Sequence, residues 1–139
     1  MEKTEFISKN TSETWQIGED IGRIAKKGEL YLLEGELGAG KTQLIKGMAR
    51  GISVDDWQYV VSPSFTLINI YEGKDMTLCH VDLYRIEEDR LIGLEIEEFL
   101  DTGIIAVEWP KKMIWQEDAI KIIIQLIDED TRKIEVIRP

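Results

Sequence analysis

The sequence predicts an α/β fold in one domain, residues 1–139, with three layers around a mostly parallel sheet. Apolar runs of strand length alternate with segments whose apolar residues recur at helical spacing, as in strands joined by helical crossovers. The chain length is close to the usual size of a single domain. No linker rich in Pro, Gly or Ser divides the chain.

The first elements in order are a strand over residues 3–8, a helix, and a second strand over residues 30–33. Residues 10–12 (Asn-Thr-Ser) are good helix N-caps, and Gly28 is expected to end the helix that they begin. The apolar face of this helix is formed by Ile17, Ile21, Ile24 and Ala25. The second strand leads directly into Gly35 and a glycine-rich segment.

A second helix follows that segment and ends at Gly51, with an apolar face formed by Leu44, Ile45, Met48 and Ala49. Further runs of strand length lie at residues 66–71, 76–81, 103–107, 120–127 and 133–137. Between two of these runs, another amphipathic helix is indicated by Ile92, Ile96, Phe99 and Leu100. The polar residues 128–131 separate the last two runs, which predicts an antiparallel hairpin at one edge of the sheet.

The chain is acidic, because 17 Lys and Arg residues against 27 Asp and Glu residues give a formal net charge of −10. This charge disfavours direct binding to a nucleic-acid backbone, so any nucleic acid would be held by another protein. The apolar runs are far shorter than the roughly 20 residues of a membrane span, and the N-terminus does not have the pattern of a signal peptide. The single cysteine, Cys79, fits a reducing compartment, and we expect a cytoplasmic protein without membrane contact.

Residues 35–42 read Gly-Glu-Leu-Gly-Ala-Gly-Lys-Thr and match the phosphate-binding pattern G-x-x-x-x-G-K-[ST] at every fixed position. The glycines allow successive backbone N–H groups to face one concavity, at the positive end of the following helix. Lys41 would reach the β- and γ-phosphates, and the Thr42 hydroxyl would bind Mg²⁺. These features predict a P-loop NTPase fold that binds a nucleoside triphosphate. The residues expected to contact it are Glu36, Leu37, Gly38, Ala39, Gly40, Lys41, Thr42 and Gln43.

Two acidic residues that follow apolar strands are candidate magnesium ligands beside Thr42. Asp82 and Glu108 each lie at the C-terminal end of a strand, where α/β sheets bind ligands. Asp82 is the better metal ligand by type, and Glu108 would share the metal or polarise the attacking water. Alternatively, either acid alone simply ends a strand in solvent.

Residues 62–66 (Ser-Pro-Ser-Phe-Thr) lie between the second helix and the next strand. P-loop switches place a hydroxyl on the γ-phosphate from this position, which makes Thr66 a candidate sensor of that phosphate. An ordinary turn into a strand, with its bend fixed by Pro63, explains the same residues equally well.

Several sequence patterns are absent, and their absence narrows the class of protein. The chain has no N-K-x-D or T-K-x-D stretch for guanine recognition and no L-S-G-G-Q signature of transporter ATPases. Between residues 71 and 108 only Arg85 and Arg90 could serve the arginine-rich lid of a small-molecule kinase. A kinase is the second hypothesis, and a binding module that holds ATP as a structural ligand is the third.

Four segments occur in order: GELGAGKT at 35–42, SPSFTL at 62–67, HVDLYR at 80–85 and EWP at 108–110. Together they resemble the TsaE (YjeE) family, small bacterial ATPases that assist synthesis of threonylcarbamoyladenosine (t6A) on tRNA. The resemblance covers roughly residues 13–110, and the combination of HVDLYR with EWP is its specific part.

The resemblance implies an ATPase that uses Mg²⁺ and works with the partner proteins TsaB and TsaD. We expect weak activity of the chain alone, because the sequence shows no obvious arginine finger and partner contacts would complete the site. TsaD performs the transfer to tRNA, so tRNA is contacted only indirectly. The implied catalytic residues are Lys41, Thr66, Glu108 and Trp109, and the implied metal ligands are Thr42, Asp82 and Glu108. No motif places the adenine contacts, for which residues near 11–14 and Arg132 are possible positions.

Three positions depart from the family pattern. Gln43 stands where many relatives carry a second threonine, Ser64 where threonine is usual, and Glu95 at a glycine position.

His80 lies on the same strand face as Asp82, and a structural role is favoured over a proton carrier. The seven acids of residues 86–101 are typical of a solvated helix face, with a docking face for a basic partner as the alternative.

Overall fold

The computed structural model describes residues 2–63, 66–85, 96–110 and 118–139. These residues form a seven-stranded mixed sheet, two α-helices and two 3₁₀ helices, the latter at Trp57–Tyr59 and Glu97–Asp101. The other elements are β1 (Glu2–Ser8), α1 (Thr11–Arg23), β2 (Leu30–Glu34), α2 (Lys41–Gly51), β3 (Ile68–Glu72), β4 (Thr77–Asp82), β5 (Gly103–Glu108), β6 (Ile120–Leu126) and β7 (Arg132–Arg138). All seven strands lie within about two residues of the apolar runs that predicted them.

The sheet has the strand order β1-β7-β6-β2-β5-β4-β3. Its four central strands, β6, β2, β5 and β4, pair in parallel, whereas the pairings β1–β7, β7–β6 and β4–β3 are antiparallel. The prediction of a mostly parallel sheet is therefore correct only for its centre. The hairpin of β6 and β7 is antiparallel as predicted, but it does not lie at the edge. The N-terminal strand β1 pairs with β7 and satisfies backbone groups that would otherwise be open.

Helix α1 begins as predicted and ends earlier than predicted. The Asn10 side chain caps the helix by accepting a hydrogen bond from the Glu13 N–H at 2.8 Å. The helix ends at Arg23, and Ile24 is 62% exposed, so Ile24 does not belong to the buried face. Gly28 lies beyond the helix, where its φ of +95° turns the chain toward β2 and its N–H bonds the Gly103 carbonyl.

Both faces of the sheet are covered, which gives the three layers. Helices α1 and α2 pack on one face, and on the other face Ile96, Phe99 and Leu100 cover the apolar side chains of β2, β4 and β5. Of the helix predicted around residues 92–100, the described part is a 3₁₀ helix, and residues 86–95 with most of the acidic segment lie outside the described residues. Among the described residues, no helix combines the length and apolar character needed to cross a bilayer.

Cys79 lies in the apolar cluster on this second face of the sheet. Its side chain is completely buried, and burial raises the pKa of the thiol to about 12. A thiol that stays protonated and out of reach of solvent is a poor nucleophile. The cysteine is therefore a core residue, as its position in an apolar strand predicts.

Candidate functional site

The glycine-rich segment connects the parallel strand β2 to the start of α2. Gly38 and Gly40 have φ values of +82° and +105°, a left-handed conformation that favours glycine. Gly40 is the N-cap of α2, and no side chain in the described part of the chain caps the first turn. The first backbone N–H groups of α2 are consequently available to an anion, at the positive end of the helix.

Lys41 is the first residue of α2 and is only 5% exposed. Its Nζ donates to the carbonyl oxygens of Gly35 at 2.5 Å and Glu36 at 3.1 Å, and it lies 4.0 Å from the centre of the Trp109 ring. Burial lowers the pKa of this ammonium, and the negative charge of Glu108 partly opposes the shift. The lysine charge is thus held at the loop by backbone carbonyls, where an anionic ligand would stabilise it further.

Glu108 lies at the end of β5, directly opposite Asp82 of β4 in the parallel register. Its Oε2 accepts a hydrogen bond from the Thr42 hydroxyl at 2.9 Å and lies 2.6 Å from Nε2 of His80. The carboxylate is 4% exposed. One oxygen atom therefore connects Thr42, at the start of α2, to a buried histidine.

Asp82 lies beside this carboxylate and is also 4% exposed. Its Oδ2 accepts from the Ser62 hydroxyl at 2.5 Å, and its Oδ1 accepts from the backbone N–H of Tyr84 at 2.9 Å. These contacts fix the carboxylate from two sides. Asp82 is therefore held at the sheet edge next to Glu108 and does not end its strand in solvent.

The loop and the two acids surround a cleft of about 400 Å³. Its lining consists of Leu37, Gly38, Gly40, Lys41, Thr42, Gln43, Ser62, Asp82, Tyr84, Glu108 and Trp109. A second cavity of about 110 Å³ shares Gly38, Gly40 and Gln43 with the cleft. Its other lining residues are Asn10, Thr11, Thr14 and Arg132.

Trp109 lies at the wall of the cleft, directly after Glu108. Its φ of +58° is a left-handed conformation that a bulky residue rarely adopts. The ring contacts the ring of Tyr84, with 4.9 Å between centroids and 51° between planes, and its centre also lies 4.0 Å from Lys41 Nζ. The unusual backbone geometry thereby places an aromatic ring against the loop lysine.

The structure brings most of the sequence-predicted residues together around the cleft, with three exceptions. Ala39 is fully buried, and Glu36 contributes its carbonyl to Lys41 without lining the cleft. Thr66 does not line the cleft, because its hydroxyl donates to Asn69 Oδ1 at 3.1 Å. Its role at the γ-phosphate stays a prediction.

Ser62 is not among the predicted site residues, although it belongs to the same segment as Thr66. The serine, and not the threonine, contacts a cleft carboxylate. Gln43, which departs from the family pattern, accepts a hydrogen bond from Trp15 Nε1 at 2.7 Å and so joins α1 to α2. The other two departures, Ser64 and Glu95, lie outside the described residues.

Comparison with known proteins agrees with the resemblance seen in the four segments. Residues 8–134 match the family described as Threonylcarbamoyl adenosine biosynthesis protein TsaE. A curated tRNA threonylcarbamoyladenosine biosynthesis protein TsaE from Aquifex aeolicus is 36% identical over 134 residues, which are 96% of this chain and 96% of that protein. The Bacillus subtilis protein of the same name is 36% identical over 137 residues, covering 96% of this chain and 85% of its own length.

A solved structure is similar as well. The crystal structure of YdiB from Bacillus subtilis has a TM-score of 0.75 to this fold at 29% sequence identity, covering 97% of this chain and 84% of that one. Sequence and structure thus agree along nearly the whole chain, and the chain belongs to the TsaE family.

Proposed function

We propose that the chain is a cytoplasmic, Mg²⁺-dependent P-loop ATPase that acts in t6A biosynthesis together with TsaB- and TsaD-like proteins. The observation that supports the ATPase activity best is the cleft in which an uncapped helix start, a buried lysine and two carboxylates meet. The role in t6A biosynthesis is supported by the curated relatives, which are named as proteins of that process. TsaB- and TsaD-like proteins would hold the tRNA, which fits the net charge of −10.

The phosphates of ATP would lie in the glycine loop. The N–H groups at the start of α2 would donate to the phosphate oxygens, and Lys41 would turn from the carbonyls of Gly35 and Glu36 toward the β- and γ-phosphates. The Trp109 ring limits the space into which the ammonium can move. The lysine would thus neutralise charge on the phosphoryl group that is transferred.

The donor atoms beside the loop fit a magnesium ion. The Thr42 hydroxyl and the carboxylates of Asp82 and Glu108 are all oxygen ligands, and Mg²⁺ typically takes one or two carboxylates together with substrate phosphates. When bound, the ion would neutralise charge on the phosphate oxygens. Glu108 is also the acceptor best placed to orient an attacking water, since Thr66 lies outside the cleft.

Apolar side chains at the rim of the cleft support completion of the site by a partner. Leu37 is 72% exposed and Tyr84 is 51% exposed, and both line the cleft opening. Exposed apolar groups next to a functional cleft are typical of a protein interaction surface. We therefore expect weak ATP hydrolysis by the isolated chain and faster hydrolysis in the complex.

The second cavity is the proposed site of the nucleoside, because it shares Gly38 and Gly40 of the glycine loop with the cleft and is not lined by the two carboxylates. Arg132 lines it and donates through Nε to the Ala39 carbonyl at 3.1 Å, which supports the loop from β7. In the ATP complex the guanidinium of Arg132 would also donate to the nucleoside. Replacing Arg132 with alanine should therefore weaken ATP binding by about tenfold, since a hydrogen bond from a charged donor contributes about 1.5–3 kcal/mol. The measurement is calorimetric titration with Mg-ATP.

The matched control is Arg138→Ala, at the far end of the same strand, where Arg138 pairs with Glu29. This variant should bind ATP like the wild type. Equal affinity of the Arg132 variant and the wild type would show that the nucleoside does not lie in this cavity.

The test of the proposed function is phosphate release from Mg-ATP, measured with and without the TsaB–TsaD pair of the same organism. Clear stimulation by the pair supports a partner-gated ATPase. Turnover that needs an added metabolite, with a phosphorylated product, would instead indicate the alternative, a small-molecule kinase. Tight binding of ATP without phosphate release under any condition would indicate a binding module.

A further inference from the structure

We infer that His80 is a positioning residue for the magnesium site, which acts through Glu108 on the hydroxyl of Thr42. The inference rests on the proposed function and assigns a role in it to the one histidine of the chain. His80 contacts neither the cleft nor the loop directly. Its effect must therefore pass through the carboxylate that it touches.

The three side chains form a continuous hydrogen-bonded row from the interior of the sheet to the loop. His80 is completely buried in β4, and its Nε2 lies 2.6 Å from Oε2 of Glu108 on the neighbouring strand β5. The same Oε2 accepts the Thr42 hydroxyl at 2.9 Å. One carboxylate oxygen thus receives two hydrogen bonds, one from each side.

The direction of these bonds decides what Thr42 can offer to a metal ion. An ionised carboxylate can only accept, so His80 donates through Nε2 and Thr42 donates its single proton. The lone pairs of the Thr42 oxygen are then directed away from Glu108, and a metal ion binds to such lone pairs. By holding Oε2 in place, His80 keeps the threonine oxygen in the orientation of a ligand.

The second ring nitrogen of His80 indicates that this residue does more than stabilise the fold. Nδ1 of His80 is buried and has no hydrogen-bond partner among the described residues. Buried polar atoms are normally paired, and an unpaired one destabilises the fold. A leucine at this position would avoid that penalty, so the histidine is better explained by the bond that it gives to Glu108.

The experiment compares His80→Leu, which removes the donor, with His80→Gln, whose amide nitrogen can occupy the place of Nε2. Binding of the non-hydrolysable β,γ-imido analogue of ATP is measured by calorimetry, once with Mg²⁺ and once with EDTA. For His80→Leu we expect the gain in affinity from Mg²⁺ to fall by about tenfold, while affinity in EDTA stays within about twofold of wild type. His80→Gln should restore the gain to within about threefold.

A further variant keeps the inference testable should the leucine variant not fold. His80→Asn carries its amide at the place of Nδ1 and cannot reach Glu108, so it should lose the Mg²⁺ gain as His80→Leu does. Melting temperatures are recorded for all variants. Equal Mg²⁺ gains for His80→Gln and His80→Asn, or an equal loss of affinity with and without Mg²⁺, would overturn the inference.

The Lys41→Ala variant separates this outcome from failure of the proposed function. If the wild type binds the analogue, Lys41→Ala weakens binding and the His80 variants match the wild type, only the role of His80 is wrong. If the wild type does not bind the analogue at all, the proposed function and the inference are both wrong.

Discussion

Replacing Lys41 with alanine is expected to reduce phosphate release from Mg-ATP by at least about 100-fold, since a preorganised electrostatic contact is worth about 2.7–4 kcal/mol in the transition state. Lys41 is the buried cation of the cleft wall, and its ammonium already lies at the loop carbonyls. Without it, charge that develops on the transferred phosphoryl group would lose its nearest positive partner. The measurement is the rate of phosphate release in the presence of the TsaB–TsaD pair.

The matched control is Lys46→Ala, five residues further along α2. Lys46 is half-buried, and its Nζ lies 5.7 Å from the centre of the Trp15 ring, away from the cleft. This variant removes the same charge from the same helix and should keep the wild-type rate. Undiminished turnover by Lys41→Ala would refute the assignment of the cleft as the ATPase site.

A third variant, Lys41→Met, separates loss of function from loss of stability. Burial lowers the pKa of Lys41 below the value of 10.5 that it has in the unfolded chain, although the charges of Glu108 and Asp82 oppose this shift. Between the two pKa values the unfolded chain binds more protons, so the free energy of unfolding rises with pH in this window. The wild type should therefore gain stability as the pH rises through this window, whereas Lys41→Met should lack this gain and should fail to hydrolyse ATP.

The predicted site residues that the structure brings together around the cleft are tied to local sequence patterns. The segment 35–42 brings its own flanking strand and helix, and Asp82 and Glu108 follow two strands that pair in parallel. Parallel strands bring their C-terminal ends to the same sheet edge, so two acids at these ends had to lie close together. In both cases a local sequence pattern was sufficient to predict which residues lie close together.

The residues that sequence reasoning did not place depend on contacts between distant parts of the chain. Leu67 adopts a φ of +70°, and its carbonyl accepts the N–H of Asp82, a contact between residues 15 positions apart. Ser62 donates to Asp82 across 20 positions, whereas Thr66 donates to its near neighbour Asn69. The bond from His80 to Glu108 crosses diagonally between two strands. Apolar periodicity carries no information about either contact.

Dependence on contacts between distant parts of the chain also explains the error in the predicted sheet, in which the hairpin of β6 and β7 lay at the edge. The apolar runs predict each strand, because burial requires them wherever the strand lies in the sheet. The place of β1 beside β7 depends on a pairing between the two ends of the chain. Because β6 and β7 are adjacent in sequence, they were predicted to form a hairpin at the edge of the sheet. The pairing of β1 with β7 makes β1 the edge strand instead.

Replacing Gly18 with alanine is expected to lower the free energy of unfolding by about 1–3 kcal/mol, the usual effect of overpacking a close contact. Helices α1 and α2 approach so closely that a Cβ at Gly18 would lie 2.2 Å from the Leu44 carbonyl oxygen and 2.9 Å from Gly47 Cα. One turn further along, Gly22 and Gly51 meet in the same way. These contacts are with backbone atoms, which cannot move aside as a flexible side chain can.

The sign of this effect is opposite to that of helix propensity, which favours alanine over glycine by about 1 kcal/mol in a helix interior. A melting temperature lower by roughly 3–10 °C would therefore report the clash itself. Gln16→Ala, at an exposed position of the same helix, is the control and should change little. A Gly18→Ala variant that melts at or above the wild-type temperature would show that the helices can separate without penalty.

Because α2 begins at Lys41, the glycine contacts between α1 and α2 also affect the proposed nucleotide site. Trp15 of α1 donates to Gln43 of α2 at 2.7 Å, so the two helices are joined beside the loop as well as along their glycines. An alanine at Gly18 would push α2 away from α1 and move the first turn that is to bind the phosphates. We therefore expect Gly18→Ala to weaken Mg-ATP binding even below its melting temperature, whereas Gln16→Ala should leave binding unchanged.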